Sequence, residues 1–399
     1  MKQKVVIIGY GSTTRLGIVR ALAEMDCEIT AIVTSFKDRR GRLNTSKPFD
    51  CYSRYISRVL YIFAGEAEGL VRLLLEECSD TYQKVILLPY SDFAVATIDE
   101  AQEQLRDGFL FPNINHTSGA VRSWMDKSRQ KELARTVGLH CAGSCEIAIK
   151  NGRFSIPEGI QYPCFTKPVV SFVGGKKLFL RCENEEQLRS LLNRAGTRGD
   201  MVIMVEDFVS IENEYAILGF SDGKQVVIPG VIRFIKNSNS HFGIAMTGDI
   251  LPVNGFEDLL EQFRQFVLRI GFVGVFDIDF LWGDGKWWFD EINLRFGGSG
   301  YVVTRQGVNL PVMLYRYFRK EDWNNAAQLV IKKATFVNDK ICMDDWYEGY
   351  LTTAEFKQTL RRAEVSFVYD KEDPKPLAVF KKEFRLKALK RVVKKLLGK

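Results

Sequence analysis

The chain has 399 residues, 46% hydrophobic and 26% charged, a balance ordinary for a globular protein with a large core and two or three domains. No run of about 18 apolar residues occurs, which excludes a membrane-spanning helix, and the first apolar segment is too short for a signal peptide, so a cytoplasmic location is expected. The net charge of +7 misleads when averaged: residues 381–399 carry nine Lys/Arg and one Glu, a net of +8, which leaves residues 1–380 at −1.

Lys4 to Gly9 is a continuous apolar run ending in glycine, which predicts a buried parallel strand feeding a loop and then a helix at about 14–25. The loop from Gly9 to Gly17 is similar to a dinucleotide fingerprint but has the wrong final spacing for GxGxxG. Its backbone N–H groups at Gly11 and Ser12 make candidate contacts to a substrate carboxylate or phosphate at a helix N-terminus. A second strand is predicted at Glu28–Val33, a helix at Glu66–Cys78, a strand at Lys84–Pro89 and a helix at Thr97–Arg106. Residues 1–115 therefore read as a small doubly wound α/β domain. A nicotinamide-dependent oxidoreductase is compatible with this domain alone, although no acidic residue clearly closes its second strand.

Asp126 is placed to cap a helix over Lys127–Val137, which puts Lys127 against the helix dipole, a poor place for a purely structural lysine. Further on, Pro163 to Leu180 reads as strand, glycine loop, strand. An inward Lys167 between Phe165 and Val169 needs an anionic partner, and a loop containing Ser171, Gly174 and Gly175 can close its amides over phosphates. A helix is predicted at 184–196 and a strand at Met201–Val205. Beyond them Glu206, Glu212 and Glu214 interrupt a buried pattern around Phe208 and Val209. Such carboxylates suit hydrogen bonds from an adenine amine and a ribose, while the connecting backbone reads the purine edge. The next strand, Gln225–Ile235, carries Arg233, a candidate for holding a substrate carboxylate, and Glu257–Ile270 reads as an amphipathic helix.

The stretch Gly274–Ser299 alternates at period two on both sides of Gly283-Asp-Gly285, the signature of a hairpin. Asp279, Glu291 and Asn293 then meet on one face, with Asp277 near them and Arg295 two residues further along. The acids lie among Phe, Ile, Leu and Trp, and buried charges must be paired or metal-bound. Two carboxylates and an amide oxygen suit Mg2+, which keeps several waters and bridges protein to phosphate. The eight Cys and three His show no zinc spacing and read as reduced and structural.

After residue 320 the pattern becomes mixed, with strands near 333–337 and 363–368 and no motif. In the tail Phe380, Phe384, Leu389, Val392, Val393, Leu396 and Leu397 recur at three to four, with Lys/Arg expected on the opposite side. This predicts a basic amphipathic helix over 381–399 suited to an anionic membrane surface, or one packed on the body. Nucleic acid is not an expected partner, because no binding module accompanies the basic residues.

Taken in order, Lys127, Lys167-Pro168, Gly174-Gly175, Glu206, Glu214, Asp279 and Glu291-Ile-Asn293-Leu-Arg295 resemble an ATP-grasp enzyme of the carboxylate-amine ligase and carbamoyl phosphate synthetase-like branch. The resemblance spans roughly residues 1–310. It implies an α/β and α+β architecture: a pre-ATP-grasp domain at 1–115, an ATP-grasp domain at 116–320 with a lid at about 140–205, a C-terminal extension at 321–380 and the basic helix. It also implies ATP contacts by Lys127, Lys167, Ser171, Gly174, Gly175, Glu206, Phe208, Val209 and Glu214. Asp279, Glu291 and Asn293 would hold Mg2+, usually two ions, with Arg295 on the transferred phosphoryl group and Asp277 behind the ligands. The implied reaction activates a carboxylate as an acylphosphate and couples it to an amine, here on a cell-envelope or capsular precursor if the tail binds membrane. The implied partners are these small molecules, and a homodimer is admitted. A non-catalytic ATP-binding regulator would not need the metal set and Arg295.

Overall fold

The computed structural model describes residues 1–38, 40–170, 178–241, 243–324 and 331–396, with side chains to residue 393. The N-terminal sheet is built from β1 (Gln3–Gly9), β2 (Cys27–Ser35), β3 (Ile56–Phe63), β4 (Val85–Pro89) and β5 (Phe109–Leu110). All are parallel, in the order β3-β2-β1-β4-β5. Its central strands are apolar throughout because helices cover both faces. The order reverses between β1 and β4, so the loops after these two strands, at Tyr10 and Asp92, flank the crevice that such sheets open at a switch point. β3 escaped the sequence pattern because it is half-exposed with no clean alternation.

A two-residue strand, β6 (Asn113–Ile114), hands the chain to the second half by pairing with the central hairpin. A four-stranded antiparallel sheet follows, ordered β7 (Ser144–Ile149), β10 (Met201–Asp207), β8 (Cys164–Pro168) and β9 (Leu180–Cys182). Helix Glu185–Gly196 lays Leu188, Leu191, Leu192 and Ala195 on it, and this sheet and helix share a core of their own.

The largest sheet is organised on β11 (Ile211–Asp222), with β12 (Val226–Val227), β13 (Val231–Asn237), β14 (Ala245–Leu251), β15 (Phe272–Gly283) and β16 (Lys286–Asn293). It runs β16-β15-β11-β13-β14 and then takes in β17 (Ala334–Val337) and β18 (Val365–Ser366). One face carries Tyr215, Ile217, Phe276, Ile278 and Phe280 against helix Glu257–Ile270, whose Leu260, Phe263, Phe266 and Val267 are buried. The opposite face carries Ala216, Leu218, Ile232 and Phe336 in a core shared with the N-terminal domain.

The residues after 320 thus extend the central sheet. They are also tied to the N-terminal domain by the buried ion pair Arg20–Asp373 at 3.1 Å. The last helix, Pro374–Leu396, differs from the expected one-sided amphipathic helix. Phe380 and Phe384 face the body, where Phe384 stacks on Trp346 at 4.7 Å and on Phe356 at 5.3 Å. Leu386, Leu389, Val392 and Val393 are exposed. At 100° per residue these two apolar sets fall on different sides, so the apolar periodicity marks an inner and an outer face rather than one stripe.

Candidate active site

The site is built on the β15–β16 hairpin. Asp277 is paired with Asn293 and Asp279 with Glu291, so all four side chains share one face. The register slips between Asp279 and Phe280, leaving Asp290 as the extra residue of a β-bulge. Strict alternation would send Asp290 to the opposite face, but its carboxylate receives Lys167 Nζ at 2.6 Å.

Helix Lys127–Thr136 lies against this edge. Asp126 caps it, accepting from the N–H of Ser128 and Arg129 at 2.9 and 3.0 Å. Its inward stripe is Lys127, Gln130, Lys131 and Ala134, the i, i+3, i+4, i+7 set. Gln130 acts as a neighbouring strand would: Nε2 donates to the Ile292 carbonyl at 2.9 Å and Oε1 accepts from the Ile292 N–H at 3.0 Å. This fixes β16 between Glu291 and Asn293.

Three lysines from two elements therefore converge. Lys127 binds Glu291, Lys131 binds Glu206, and Lys167 binds both Glu206, at 3.0 Å, and Asp290. Each lysine is 2% exposed or less. Burial alone would depress the Lys167 ammonium, but Asp290 and Glu206 outweigh it and hold its pKa above the usual lysine range. Lys131 is pushed down, by burial first and then by the charge of Lys167. Burial would raise the Asp290 carboxyl, yet the lysines, Lys167 foremost, keep it below the usual carboxylate range.

The other end of the hairpin is acid-rich. Burial, reinforced by Glu291 and opposed by Arg295, pushes the Asp277 carboxyl up to about 7. Asp279 is raised well above its ordinary value by burial and by Asp277, Glu291 and Asp290. Asp277 also lies flat against Gly297, where a Cβ would come within 2.3 Å of its Oδ2. Asn293 Nδ2 makes long contacts to Asp279 at 3.5 Å and Glu291 at 3.4 Å, while its Oδ1 accepts from Arg295 at 3.2 Å. Arg295 binds Asp92 at the start of helix Asp92–Glu100, which joins the hairpin to the switch-point crevice of the N-terminal domain.

This set fits a hard divalent cation. Two carboxylates and an amide oxygen lie side by side, and the raised pKa values mark negative charge that the surroundings leave partly uncompensated. Among the described residues no three His, Cys, Asp or Glu form a ready-made metal cage. An ion that keeps waters and takes phosphate oxygens does not require one.

The remaining predicted residues fall as follows. Glu206 is the next-to-last residue of β10, engaged by two lysines, and Phe208 lies under the Arg181 guanidinium at 4.2 Å. Val209 is half-buried beside it. Glu214 sits on the same sheet face as Asp279 and accepts from Asn237 Nδ2 at 2.7 Å. Arg233 pairs with Tyr215, hence on the opposite face, and is bound to Asp249 at 2.7 Å. Ser171, Gly174 and Gly175 lie outside the described residues.

At the N-terminal loop Ser12 caps helix Thr13–Ala21, and the nearby anion is the chain's own Asp50, which pairs with buried Arg15 at 2.9 Å. A Cβ at Gly9 would lie 2.5 Å from the Tyr90 ring, and one at Gly11 2.7 Å from Pro48. Tyr90 and Pro48 thus occupy the space beside these two glycines.

Sequence reasoning missed Lys131, Gln130, Asp290 and Asp92. Lys131 and Gln130 had a signal, their i+4 and i+3 spacing from Lys127; the bulge that turns Asp290 inward had none.

The fold and site define a class: an α/β domain joined to two further sheets, with buried lysines facing a carboxylate-bearing hairpin. Residues 132–310 match the ATP-grasp domain family. It is 24% identical over 198 residues to the carbamoyl phosphate synthase large chain of Halomonas eurihalina, covering 49% of this chain but 18% of that one. Against the D-aspartate ligase of Enterococcus faecium (strain Aus0004) it is 25% identical over 261 residues, 61% of each chain. In structure it is similar to the L-amino acid ligase from Bacillus licheniformis, with TM-score 0.62 at 17% identity, covering 84% of this chain and 79% of that one. The chain thus spans less than a fifth of the synthase large chain and about three fifths of the D-aspartate ligase.

Proposed function

We propose that this protein is an ATP- and Mg2+-dependent ligase that phosphorylates a carboxylate and couples the acylphosphate to an amine. One observation carries the reading: buried Lys127, Lys131 and Lys167 face Glu206, Asp290 and Glu291 beside the Asp279–Asn293 set. A bound triphosphate would take the lysines from these carboxylates, and the cation held with it would replace Lys127 on Glu291. Lys127, Lys131 and Lys167 would then hold phosphates, with Ser171, Gly174 and Gly175 as the further phosphate contacts that the sequence suggests. Glu206 with the backbone at Phe208 and Val209 holds the base, and Glu214 the ribose. Asp279, Glu291 and Asn293 hold Mg2+, which supplies charge neutralisation at the phosphates.

A substrate carboxylate oxygen attacks the γ-phosphorus, and ADP leaves. The amine then attacks the acyl carbon, phosphate departs, and the amine nitrogen loses a proton. Phosphorylation is needed because oxide is a poor leaving group. The protein's share is positioning and electrostatics, with Arg295 beside the transferred group. The names of the D-aspartate and L-amino acid ligases support an amino acid as one substrate.

No helix among the described residues is long and apolar enough to cross a membrane. The last helix presents exposed Leu386, Leu389, Val392 and Val393 flanked by exposed Lys381, Lys382, Arg385 and Lys390. That face complements an anionic bilayer, where such an enzyme would meet a cell-envelope or capsular precursor. The ligase reading is tested by substrate-dependent ADP release across a panel of amino acids and uronic or dicarboxylic acids. Glu291→Gln is expected to abolish release with the productive pair, and retained turnover refutes the metal assignment.

A further inference from the structure

Helix Asp339–Glu348 lies outside the matched ATP-grasp segment, yet it reaches back into the large sheet. Asp345 is completely buried and accepts four hydrogen bonds from one turn. Ser238 Oγ donates to its Oδ1 at 2.6 Å, Ser240 N at 3.0 Å and Ser240 Oγ at 2.5 Å, while Asn239 N donates to its Oδ2 at 2.9 Å. These donors immediately follow Asn237, whose amide holds Glu214 at 2.7 Å.

The strand leading into that turn does not fix Asn237 by its own ladder. The β13–β14 register shifts between Phe234 and Lys236 and again between Lys236 and Asn237. Bulged strands re-aim their side chains, so the direction of the Asn237 amide depends on what anchors the turn behind it. Asp345 is that anchor, and neighbouring Asp344 adds a second by meeting His241 Nε2 at 3.2 Å. A fully bonded buried carboxylate of this kind rigidifies whatever it holds.

We infer that Asp345 is a positioning residue for nucleotide binding, acting through the Ser238–Ser240 turn and Asn237 to aim Glu214 at the ribose hydroxyls. This rests on the reading of Glu214 as the ribose contact. The region after residue 320 thereby contributes to the ATP site without touching nucleotide.

The test is calorimetric binding of Mg2+-ATP and Mg2+-2′,3′-dideoxy-ATP to the full chain. Wild type should prefer ATP. Asp345→Ala should cut ATP affinity by about tenfold, the worth of one charged hydrogen bond, with dideoxy-ATP within about twofold of wild type. Asp345→Asn should restore most of the preference, because Oδ1 alone takes three of the four bonds. Asn237→Ala should reproduce the loss, and it carries the test should Asp345→Ala not fold. Equal weakening of both nucleotides, or of neither, overturns the proposal while leaving the ribose reading intact. If Glu214→Ala itself leaves the ATP to dideoxy-ATP ratio unchanged, the ribose reading falls and takes the proposal with it.

Discussion

Lys167→Met separates a phosphate-binding lysine from a purely structural one. The side chain is 2% exposed and bridges Asp290 at 2.6 Å and Glu206 at 3.0 Å. Breaking a fully buried ion pair costs about 3–5 kcal/mol. Here Glu206 keeps Lys131, and the Asp290 side chain is 35% exposed, so screening lowers the expected loss to about 1–2 kcal/mol. Both readings predict that loss; they part on ligand. At ATP a hundredfold above its Kd, binding stabilises the wild type by about 2.7 kcal/mol. With an unfolding entropy of about 2.1 cal/mol/K per residue over 399 residues, that is a Tm rise of about 3 °C. Losing a charge-assisted phosphate contact weakens Kd by about 10- to 100-fold, which leaves a rise of about 0.5–1.7 °C. Differential scanning calorimetry with and without Mg2+-ATP reads both quantities. A variant with lowered Tm but an intact ATP-dependent rise would refute the phosphate role.

Acid titration of the same pair has a definite sign. The folded Asp290 pKa lies below its unfolded value of about 3.9, so its stabilisation is complete above that value and is lost as pH falls through the folded pKa; this acid limb should flatten in Lys167→Met unfolding curves. Asp277 runs the other way, because a folded pKa near 7 means its ionisation destabilises the fold as pH rises past the unfolded value. Asp277→Asn should therefore raise Tm most at pH 8 in EDTA, less at pH 5 and little below pH 4, and an equal change at pH 8 and pH 4 would refute the assignment. Leu386→Ser/Leu389→Ser/Val393→Ser changes only the outer face of the last helix and leaves Phe380 and Phe384 packed. It should abolish sedimentation with phosphatidylserine vesicles at unchanged Tm, whereas wild-type binding that matches the variant removes the membrane reading. Gln130→Ala withdraws the clamp on Ile292 and should weaken Mg2+-ATP binding measured by calorimetry by about tenfold, a result that fails if β16 holds Glu291 without it.

The hairpin was legible because two independent signals agreed: period-two alternation on each side and a Gly-Asp-Gly turn between. Together they fix the hairpin, but in the register its turn sets Asp279 would face Asp290; the bulge at Asp290 is what brings Glu291 and Asn293 opposite Asp279 and Asp277. Asp290 was not legible, since a bulge is a decision about one extra residue that alternation cannot report. Lys131 and Gln130 were hidden for a different reason. Hydrophobic periodicity finds buried helix faces by their apolar residues, and helix Lys127–Thr136 buries a polar stripe, so its pattern reads as solvent-exposed. The strands expected near 333–337 and 363–368 are β17 and β18, but at four and two residues they carry no pattern that reveals their place in the central sheet.

These failures share a cause. Where a fold buries apolar groups, composition and period announce it, because the hydrophobic effect is non-directional and any residue of the right class serves. Where it buries charge, each group must meet one particular partner, and the partner of Lys167 lies 123 residues away on a bulged strand. Asp345 and Ser238, 107 residues apart, obey the same rule. The sites at which this chain departs from readable patterning are thus the sites where buried polar groups had to be matched, which is what a cleft built to exchange lysine–carboxylate pairs for phosphate and a cation requires.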